Sequence, residues 1–573
     1  MRGYVMLTDG LHKIIDFYSL KNDGYHKWLN WSIQQQSAEV IVFSYELPTL
    51  DDSVRFEIYY NTSDPKDADG NIIYTARVIG TGTPDPNAGT VNMASNETVQ
   101  TYIPYIRYLK VWDDVKPFFY DRIFQDFTAA ENAKIADSCT YFAKYTFYRN
   151  TALITAQISP ATTEIGDAAF GECSSLSSIE LNDGIVRIGS YAFQLSGLNS
   201  IIVPSSVTDM GRYAFANCKQ LVTAIILNDI LSEFCFYQCT SLQNVSLSDG
   251  LIEIPRSAFM QCTALEEITI PDTVTDIRTT AFSGCSSMTS ATIGISVKNI
   301  EQQAFTGAGI INLKTPASLE TMGTGVFDAC KQLTNADLSD SIITTIPDRT
   351  FYNCSAMTEC SLPDTVIGIN LRAFYGCSAL SSINIPALIE SIGQEAFRNC
   401  SSLSSVNLNS VKTIGNAAFV GSGLESITIP ASVKSLGTRT FYSCKKLKSV
   451  IINAREIGQE VFYGDSALVD VTLSNTVEVI GYQAFYTCKA LQSIVIPASV
   501  TTIEGYAFMG CSALVTIDMT ACTAGSITLT RGVFYTIAQG SVITVSDADL
   551  KTYIENPDNG FIMADGWTTV ELV

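Results

Sequence analysis

The sequence predicts a right-handed repeat solenoid, a stack of short coils with a parallel β-sheet, preceded by an all-β, sandwich-like N-terminal domain. The first observation is a period, because a phenylalanine returns about every 23 residues through 18 copies. The second is that apolar residues after each phenylalanine repeat with it. The third is that this period is absent before about residue 127. A fixed period of this size indicates stacked units that share one continuous core. The repeating phenylalanines are Phe147, Phe170, Phe193, Phe215, Phe236, Phe259, Phe282, Phe305, Phe327, Phe351, Phe374, Phe397, Phe419, Phe441, Phe462, Phe485, Phe508 and Phe534.

The first half of each copy predicts a strand. In the copy that begins at Phe374, the apolar residues Leu380, Ile383 and Ile385 have the L-x-x-L-x-L spacing of a leucine-rich repeat. The last two alternate as a strand requires, so they point inward while the residues between them face outward. Pro386 then ends the strand, because its missing N–H leaves no ladder hydrogen bond unmade.

The second half of each copy reads I-G-x-x-A-F, for example at 188–193, 414–419 and 480–485. We expect the glycine to permit a sharp bend. The phenylalanines of neighbouring coils should pack edge to face or offset. A strand step of about 4.8 Å per coil would make 18 coils a rod or arc about 85 Å long.

Cysteine follows the same period. Of 16 cysteines, 12 occupy the third position after the phenylalanine, where Ser196, Ala308 or Ser422 stand in other copies. The position therefore favours a small, weakly polar side chain, and buried thiols behave as small hydrophobes. We expect free, packed thiols, with disulfides between adjacent copies and a metal or redox role as alternatives. The 12 are Cys173, Cys218, Cys239, Cys262, Cys285, Cys330, Cys354, Cys377, Cys400, Cys444, Cys488 and Cys511.

The combined pattern A-F-x-x-C-x-x-L-x-x-I-x-I-P with I-G-x-x-A-F behind it resembles the BspA-type leucine-rich repeat, a bacterial surface-antigen family. The resemblance covers residues 143–545. It implies a recognition role, because the family includes adhesins that bind host proteins or cell surfaces, and the repeat also occurs in protist and bacteriophage proteins. Surface proteins of the family usually carry an export signal, and no such signal and no C-terminal anchor is visible in this sequence.

The flanking segments follow other rules. Residues 1–127 contain β-rich runs at 40–45, 54–60, 72–78 and 102–111, with a long exposed loop expected over 79–96, and we interpret them as a mounting domain of about eight strands. Residues 128–142 form a predicted cap, with a helix over 129–142 that begins in the capping box of Thr128 and Glu131. Ile135, Cys139 and Phe142 would share one face of this helix and cover the first coil.

The C-terminal segment, residues 546–573, is a second predicted cap. Ser546 with Asp549 begins a short helix that stops before Pro557, and the tail with Trp567 is expected to pack over the last coil.

Composition argues against several functions. The net charge of −22 disfavours nucleic acid and anionic membranes as partners. No histidine follows His26, so the repeats cannot hold a histidine-based nucleophile pair or metal site. The acidic run at 67–71 lacks the closing glutamate of a calcium loop and fits a hairpin turn better. We therefore expect no enzyme activity, no cofactor and no metal. With no signal peptide or transmembrane segment visible, we expect a cytoplasmic protein or an assembly made there, such as a virion.

The outward strand positions are the systematic candidate binding surface, although an ordinary solvated sheet face would have the same composition. They are Glu180, Thr269, Asp337, Asn384, Asn407, Thr428, Thr472 and Asp518. The leading hypothesis is a non-enzymatic recognition protein that binds a protein or glycan on a cell surface, with residues 1–127 docking it to a larger assembly such as a bacteriophage virion. The alternatives are a surface or cytosolic adhesin-like protein, and a carbohydrate-binding or carbohydrate-active N-terminal domain with the repeats as spacer. A homo-oligomer fits each of these.

Overall fold

The computed structural model describes residues 140–142, 144–562 and 568–573, together with the backbone of strand segments between residues 2 and 135. The chain divides into two compact units, Met1–Met288 and Thr289–Val573. In each unit the described repeats form turns of a parallel β-solenoid, as predicted, with about 19 turns counted over the described residues of both units. Each repeat contributes three sides to the solenoid, which we call the first ladder, the second ladder and the turn side.

The beginning of the chain forms antiparallel strands. Arg2–Met6 pairs with Ile14–Tyr18, and Asn30–Ser37, Val40–Glu46, Ser53–Tyr59 and Thr75–Thr81 form a four-stranded sheet in chain order. The predicted strands near 40–45, 54–60 and 72–78 correspond to three of these strands. The expected loop beyond residue 81 lies outside the described residues, and the sandwich packing stays a prediction.

The first ladder is the predicted parallel sheet, formed by the L-x-x-I-x-I segments. In the first unit its strands are Tyr108–Val111, Asn132–Ile135, Thr155–Gln157, Ser178–Ile179, Ser200–Val203, Thr223–Ile226, Asn244–Ser246 and Glu267–Thr269. In the second unit they are Ser290–Thr292, Asn312–Lys314, Asn335–Asp337, Glu359–Ser361, Ser426–Ile429, Ser449–Ile452, Asp470–Leu473, Ser493–Val495, Thr516–Asp518, Ser541–Val545 and Thr568–Leu572. A bridge between Ser382 and Ser405 continues the ladder where the strands are interrupted.

The second ladder was not predicted as strand. In each copy, the two residues before the I-G glycine, or before the residue that replaces it, are paired in parallel with the same two residues of the next copy. Val479 and Ile480, for example, pair with Thr502 and Ile503. In the first unit the segments are Tyr141–Phe142, Glu164–Ile165, Arg187–Ile188, Asp209–Met210, Glu253–Ile254 and Asp276–Ile277. In the second they are Asn299–Ile300, Thr321–Met322, Thr345–Ile346, Gly368–Ile369, Ser391–Ile392, Thr413–Ile414, Glu456–Ile457, Val479–Ile480, Thr502–Ile503 and Thr528–Leu529.

The turn side comprises the phenylalanine and two residues on either side of it. In one copy Arg372 and Gly376 have left-handed backbone, with φ of 55° and 74°, two residues before and after Phe374. Phe374 N donates to Ala396 O at 2.8 Å, and Gly376 N donates to Arg398 O at 2.8 Å. These hydrogen bonds between copies offset the strain of placing non-glycine residues such as Arg372 in the left-handed region.

The core is a stack of the repeating phenylalanines, which are all buried. Neighbouring rings are nearly parallel, for example Phe193 to Phe215 at 5.2 Å between centroids and Phe485 to Phe508 at 5.3 Å. Of the two predicted geometries, the stack therefore uses the offset one between successive repeat phenylalanines within each unit.

The I-G glycines are required for close approach between copies. A Cβ on Gly189 would lie 2.5 Å from Asp167 N, and one on Gly481 would lie 2.6 Å from Ile457 O. Neither glycine has the left-handed backbone that the predicted bend would use. At these two glycines the backbone of the neighbouring copy therefore occupies the place that a side chain would take.

The predicted helix over 129–142 is wrong. Asn132–Ile135 is a first-ladder strand that pairs in parallel with Tyr108–Val111 on one side and Thr155–Gln157 on the other. The ladder therefore begins before residue 143, and the strand expected near 102–111 belongs to the parallel sheet. A strand here satisfies the hydrogen-bonding groups of the next copy, which a helix would leave open. The rest of the segment 128–139 lies outside the described residues.

The C-terminal helix is confirmed as Ala548–Glu555, followed by a 3-10 turn at Pro557–Asn559. Its N-cap is Asp547, one residue after the predicted Ser546, and the Asp547 carboxylate accepts hydrogen bonds from Asp549 N and Leu550 N. The tail strand Thr568–Leu572 pairs with Ser541–Val545, so it extends the first ladder instead of lying over it. Trp567 lies outside the described residues.

Candidate functional site

The structure places the eight predicted site residues at outward positions along the first ladder. Glu180, Thr269, Asn384, Asn407, Thr428 and Thr472 are exposed, and Asp337 and Asp518 are half-buried. Glu180 and Thr269 lie in the first unit and the other six in the second. Register brings some of them close together, because Thr428 and Thr472 both pair with the Ile451 that lies between them.

Three of these residues have a structural partner in the turn that follows the strand. The Asp337 carboxylate accepts hydrogen bonds from Ser339 N at 3.1 Å and Ser339 Oγ at 2.6 Å, and the Ser339 side chain lowers the pKa of Asp337. Asp518 accepts from Thr520 N at 2.9 Å. Asn407 Oδ1 accepts from Asn409 N at 3.0 Å in the same way. These side chains stabilise turns, so the residues with a free outward side chain are better candidates for binding.

A second outward column of the first ladder was missed by the sequence analysis. It lies two residues before the predicted column on the same face, and its members in the second unit are exposed except for the half-buried Asn335 and Ser449. The alternation of the strand, applied one step earlier, would have found it. In the second unit the column contains Ser290, Asn312, Asn335, Glu359, Ser382, Ser405, Ser426, Ser449, Asp470, Ser493 and Thr516.

The outer surface of the turn side differs in chemistry, since aromatic and arginine side chains are stacked there. In the first unit Tyr191, Tyr213 and Phe234 stack with centroids 5.1 Å and 4.6 Å apart, and the Arg256 guanidinium lies 5.7 Å from the Phe234 ring centroid. In the second unit Arg349 lies 4.1 Å from the Tyr352 ring centroid. Tyrosine and arginine are enriched among residues that dominate binding energy, which makes this side a second candidate surface.

The cysteine position has a defined hydrogen bond. Each of the 12 thiols donates to the carbonyl oxygen of the phenylalanine one copy earlier, with Sγ–O distances of 3.0 to 3.2 Å. Every cysteine in the described part of the chain is buried and free of a disulfide. Burial raises the pKa of Cys285 to about 12, so its reactive thiolate is suppressed. Cysteine is therefore a small core residue with one weak donor.

One copy breaks this rule in a way that the sequence analysis missed. Asp465 occupies the cysteine position after Phe462 and is completely buried. Its Oδ1 accepts a hydrogen bond from Cys444 N at 2.7 Å, whereas Oδ2 has no partner. Burial raises the pKa of Asp465 well above the ordinary value of 3.8. The motif alignment contains this exception, but only the structure shows the burial that favours the neutral form of the carboxyl.

The described residues contain no group of three or more histidine, cysteine or acidic side chains that could hold a metal ion. Within the same residues, no helix is long and apolar enough to cross a membrane. Several arginines lie in ion pairs between copies, as Arg187 does with Glu164, Asp167 and Asp209 at 2.5 to 3.0 Å. The fold and these surfaces define a leucine-rich-repeat solenoid of the kind that serves as an interaction scaffold.

The family follows from the sequence match. The family model described as the BspA type leucine rich repeat region matches residues 119–222, 229–358, 329–448 and 455–552. Because these ranges include more than half of the chain, the protein belongs to the BspA-type leucine-rich-repeat family, as the resemblance implied. Membership supports a protein-interaction or adhesion role.

Solved structures with low sequence identity are similar to this chain. A leucine-rich repeat protein from Bacteroides ovatus is 20% identical, with 90% of this chain and 98% of that chain covered and a TM-score of 0.33. One from Eubacterium ventriosum is 18% identical, with 67% and 95% covered and a TM-score of 0.37. The pneumococcal vaccine antigen PcpA is 18% identical, with 73% and 89% covered and a TM-score of 0.36. No curated protein matches the chain.

Proposed function

We propose that this chain is a non-enzymatic recognition protein whose first-ladder face contacts a protein or glycan on a cell surface. The observation that carries the proposal is the composition of this face in the second unit. Residues such as Asn384, Thr428 and Thr472 are exposed, lie at equivalent outward positions and carry neutral hydrogen-bonding groups. They lie beside the second column described above, in which serine, asparagine and threonine predominate. Together the two columns present many similar polar groups on an ordered backbone.

Repetition is the physical advantage of such a face. Neighbouring copies place equivalent side chains one strand spacing apart, about 4.8 Å. A ligand that itself repeats, such as a cell-surface polymer, can then engage several weak sites at once. Each engaged site raises the effective concentration for the next, so that useful avidity results from weak individual contacts.

The finer setting that we propose is a bacteriophage virion appendage, in which residues 1–127 dock to the particle and the repeats meet the host surface. The family membership supports equally well an adhesin-like protein of a bacterial or protist cell. In either setting the repeats recognise the target and the N-terminal residues mount them. Purified virions or cell-surface fractions that contain the chain would distinguish the two settings.

The test uses the full chain and two triple variants. The strand-face variant carries Asn384→Ala, Thr428→Ala and Thr472→Ala, which remove exposed polar groups without changing the core. We expect its binding to target cells to weaken roughly tenfold or more, since each lost hydrogen bond contributes about 0.5–1.5 kcal/mol.

The matched control removes three exposed polar groups of the second-ladder side, through Thr413→Ala, Ser435→Ala and Thr528→Ala. It should bind target cells as the unchanged chain does. An equal loss of target-cell binding in both variants, or no loss of binding in either, contradicts the assignment of the binding surface to the first-ladder face. A full chain with Trp28→Ala and Trp112→Ala that loses all target binding would favour the carbohydrate-binding N-terminal alternative.

A further inference from the structure

Three tyrosines form an ordered stack on the turn side of the second unit. Tyr442 and Tyr463 have ring centroids 4.8 Å apart, and Tyr463 and Tyr486 are 4.6 Å apart, with interplanar angles of 9° and 13°. Each tyrosine directly follows a repeat phenylalanine, and each is half-buried. Arg439 lies beside the stack, with its guanidinium 5.7 Å from the Tyr442 ring centroid.

The stacking decides which groups the tyrosines present to a ligand. The two faces of the Tyr463 ring are covered by its neighbours, so the ring is not available to stack on a ligand. The phenolic hydroxyl groups of the three residues have no hydrogen-bond partner among the described residues. The stack therefore presents a row of hydroxyl groups at a spacing close to one coil, and such a row suits a polar, hydroxylated ligand better than an apolar one.

The backbone beside the stack cannot recruit a peptide strand. Ser443 N donates to Tyr463 O, Gly464 N to Tyr486 O and Thr487 N to Met509 O, each at 2.8 Å. These small residues immediately follow the tyrosines and leave a low strip next to the ring edges. Since their amides are already bonded to the next copy, recognition by added β-strand pairing is not possible here.

Two lysines give this region a positive charge in a chain whose net charge is −22. Lys445 and Lys489 lie three residues after Tyr442 and Tyr486, at the equivalent corner of copies that are two coils apart, and both are exposed. Neither has an ion-pair partner among the described residues. At this corner the intermediate copy contributes Ser466, so no acidic side chain separates the two charges. Two coils correspond to roughly 10 Å at the strand spacing.

We propose that the Tyr442, Tyr463 and Tyr486 stack, with Lys445 and Lys489, binds an acidic linear polysaccharide. The hydroxyl row matches the sugar hydroxyl groups, and the widely spaced ammonium groups match a polymer with about one anionic group per disaccharide. The closed backbone argues against an extended acidic peptide. This site lies on a different side of the coil from the first-ladder face, so it goes beyond the proposed function and does not depend on it.

The experiment measures binding of the full chain to hyaluronan, chondroitin sulfate, neutral dextran and poly-L-glutamate by calorimetry. The variant Lys445→Gln with Lys489→Gln is compared with Lys331→Gln with Lys434→Gln, a matched pair of exposed lysines of the same unit that lie away from the stack and have no ion-pair partner among the described residues. Tyr463→Phe removes one hydroxyl group and keeps the ring stack.

We expect the unchanged chain to bind at least one of the two acidic polysaccharides, roughly tenfold or more tighter than dextran or poly-L-glutamate. The first lysine pair should lose about tenfold in affinity at low ionic strength and less at about 0.5 M salt. The control pair should stay within about twofold, and Tyr463→Phe should lose roughly 2- to 10-fold.

Absence of binding to both acidic polysaccharides overturns the proposal, as does equal binding of poly-L-glutamate. Equal loss in the two lysine variants overturns the location of the site. The strand-face triple variant distinguishes this site from the proposed function, because it should keep polysaccharide binding while it loses target-cell binding. If the stack variants bind polysaccharide normally while the strand-face variant still fails on cells, only the present inference is wrong.

Discussion

Replacing Asp465 with cysteine should stabilise the coils around it. The carboxyl stands where other copies have a thiol, and its Oδ2 atom is buried without a partner. A buried polar atom left unpaired costs about 1–3 kcal/mol. In the Asp465→Cys variant the thiol can donate to the carbonyl of Phe441, as Cys488 Sγ does to Phe462 O at 3.2 Å. We therefore expect a gain of about 1–3 kcal/mol when the carboxyl is protonated in both folded and unfolded states.

The gain should increase with pH. Because the folded-state pKa of Asp465 is raised above the ordinary 3.8, at a pH between these two pKa values the folded coil holds the neutral acid while the unfolded chain ionises. The stability associated with this group is therefore complete below the ordinary pKa and is lost as pH rises towards the folded pKa. The loss is about 1.4 kcal/mol per pH unit between the two values. The groups that face the carboxyl are the thiols of Cys444 and Cys488, which stay neutral in this range because burial raises their pKa well above 9.0.

Hydrogen exchange measured by mass spectrometry is the suitable assay, because stacked repeats open locally. Peptides from 441–490 should be better protected in Asp465→Cys than in the unchanged chain, with a larger difference at about pH 7.5 than at about pH 5. Cys400→Asp is the reciprocal change, and it should lower the protection from hydrogen exchange of peptides around residue 400, with a larger loss of protection at the higher pH. Asp470→Asn, which alters an exposed carboxylate, is the control and should change protection little. A difference that is absent, or that shrinks as pH rises, would refute the reasoning.

Three further experiments test the core. Phe374→Ala should destabilise its coils by about 3–5 kcal/mol, because Phe374 is buried between Phe351 and Phe397 at centroid distances of 5.4 and 5.2 Å. A decrease of less than about 1 kcal/mol in the local free energy of opening, measured by hydrogen exchange, would contradict this. Gly481→Ala should cost about 1–3 kcal/mol in the same measurement, since the new Cβ would meet neighbouring backbone, whereas Gly525→Ala has no atom within 4 Å and should cost little. Thiol titration should find few reactive groups in the native protein and all 16 after denaturation without reductant; missing thiols would indicate disulfides.

The sequence predicted those parts of the fold in which each copy carries its own pattern. Alternation at Ile383 and Ile385 identified the first ladder, and the phenylalanine period identified the core stack. The second ladder was not predicted from the sequence because its strands, such as Val479–Ile480, are only two residues long, and two residues show no alternation. Such strands are defined only by their hydrogen bonds to the neighbouring copies. They can therefore be recognised from the pairing between copies, but not from the sequence of one copy.

In the segment before the first copy, the sequence contained a pattern that predicted the wrong element. Ile135, Cys139 and Phe142 fit one face of a helix, yet Asn132–Ile135 is a strand. A short stretch of sequence often fits both the helical period of 3.6 residues and the strand period of two residues, and local propensity then decides little. The adjoining ladder decides the outcome, because its open N–H and C=O groups are satisfied only by another strand. The close approach at the I-G glycines was missed for a related reason, since it depends on a neighbour 22 or so residues away.

The period also explains why the binding surface could not be identified from the sequence alone. The core positions repeat in nearly every copy, so they report on folding and not on function. Recognition must depend on what does not repeat, and Tyr442, Tyr463 and Tyr486 form a group only because three successive copies carry tyrosine at one outward position. Lys445 and Lys489 are 44 positions apart in the chain, yet the register places them at the same corner two coils apart. Aligning the copies and searching each outward column for short runs of one chemistry would have found the tyrosines, whereas their unpaired hydroxyl groups needed the structure.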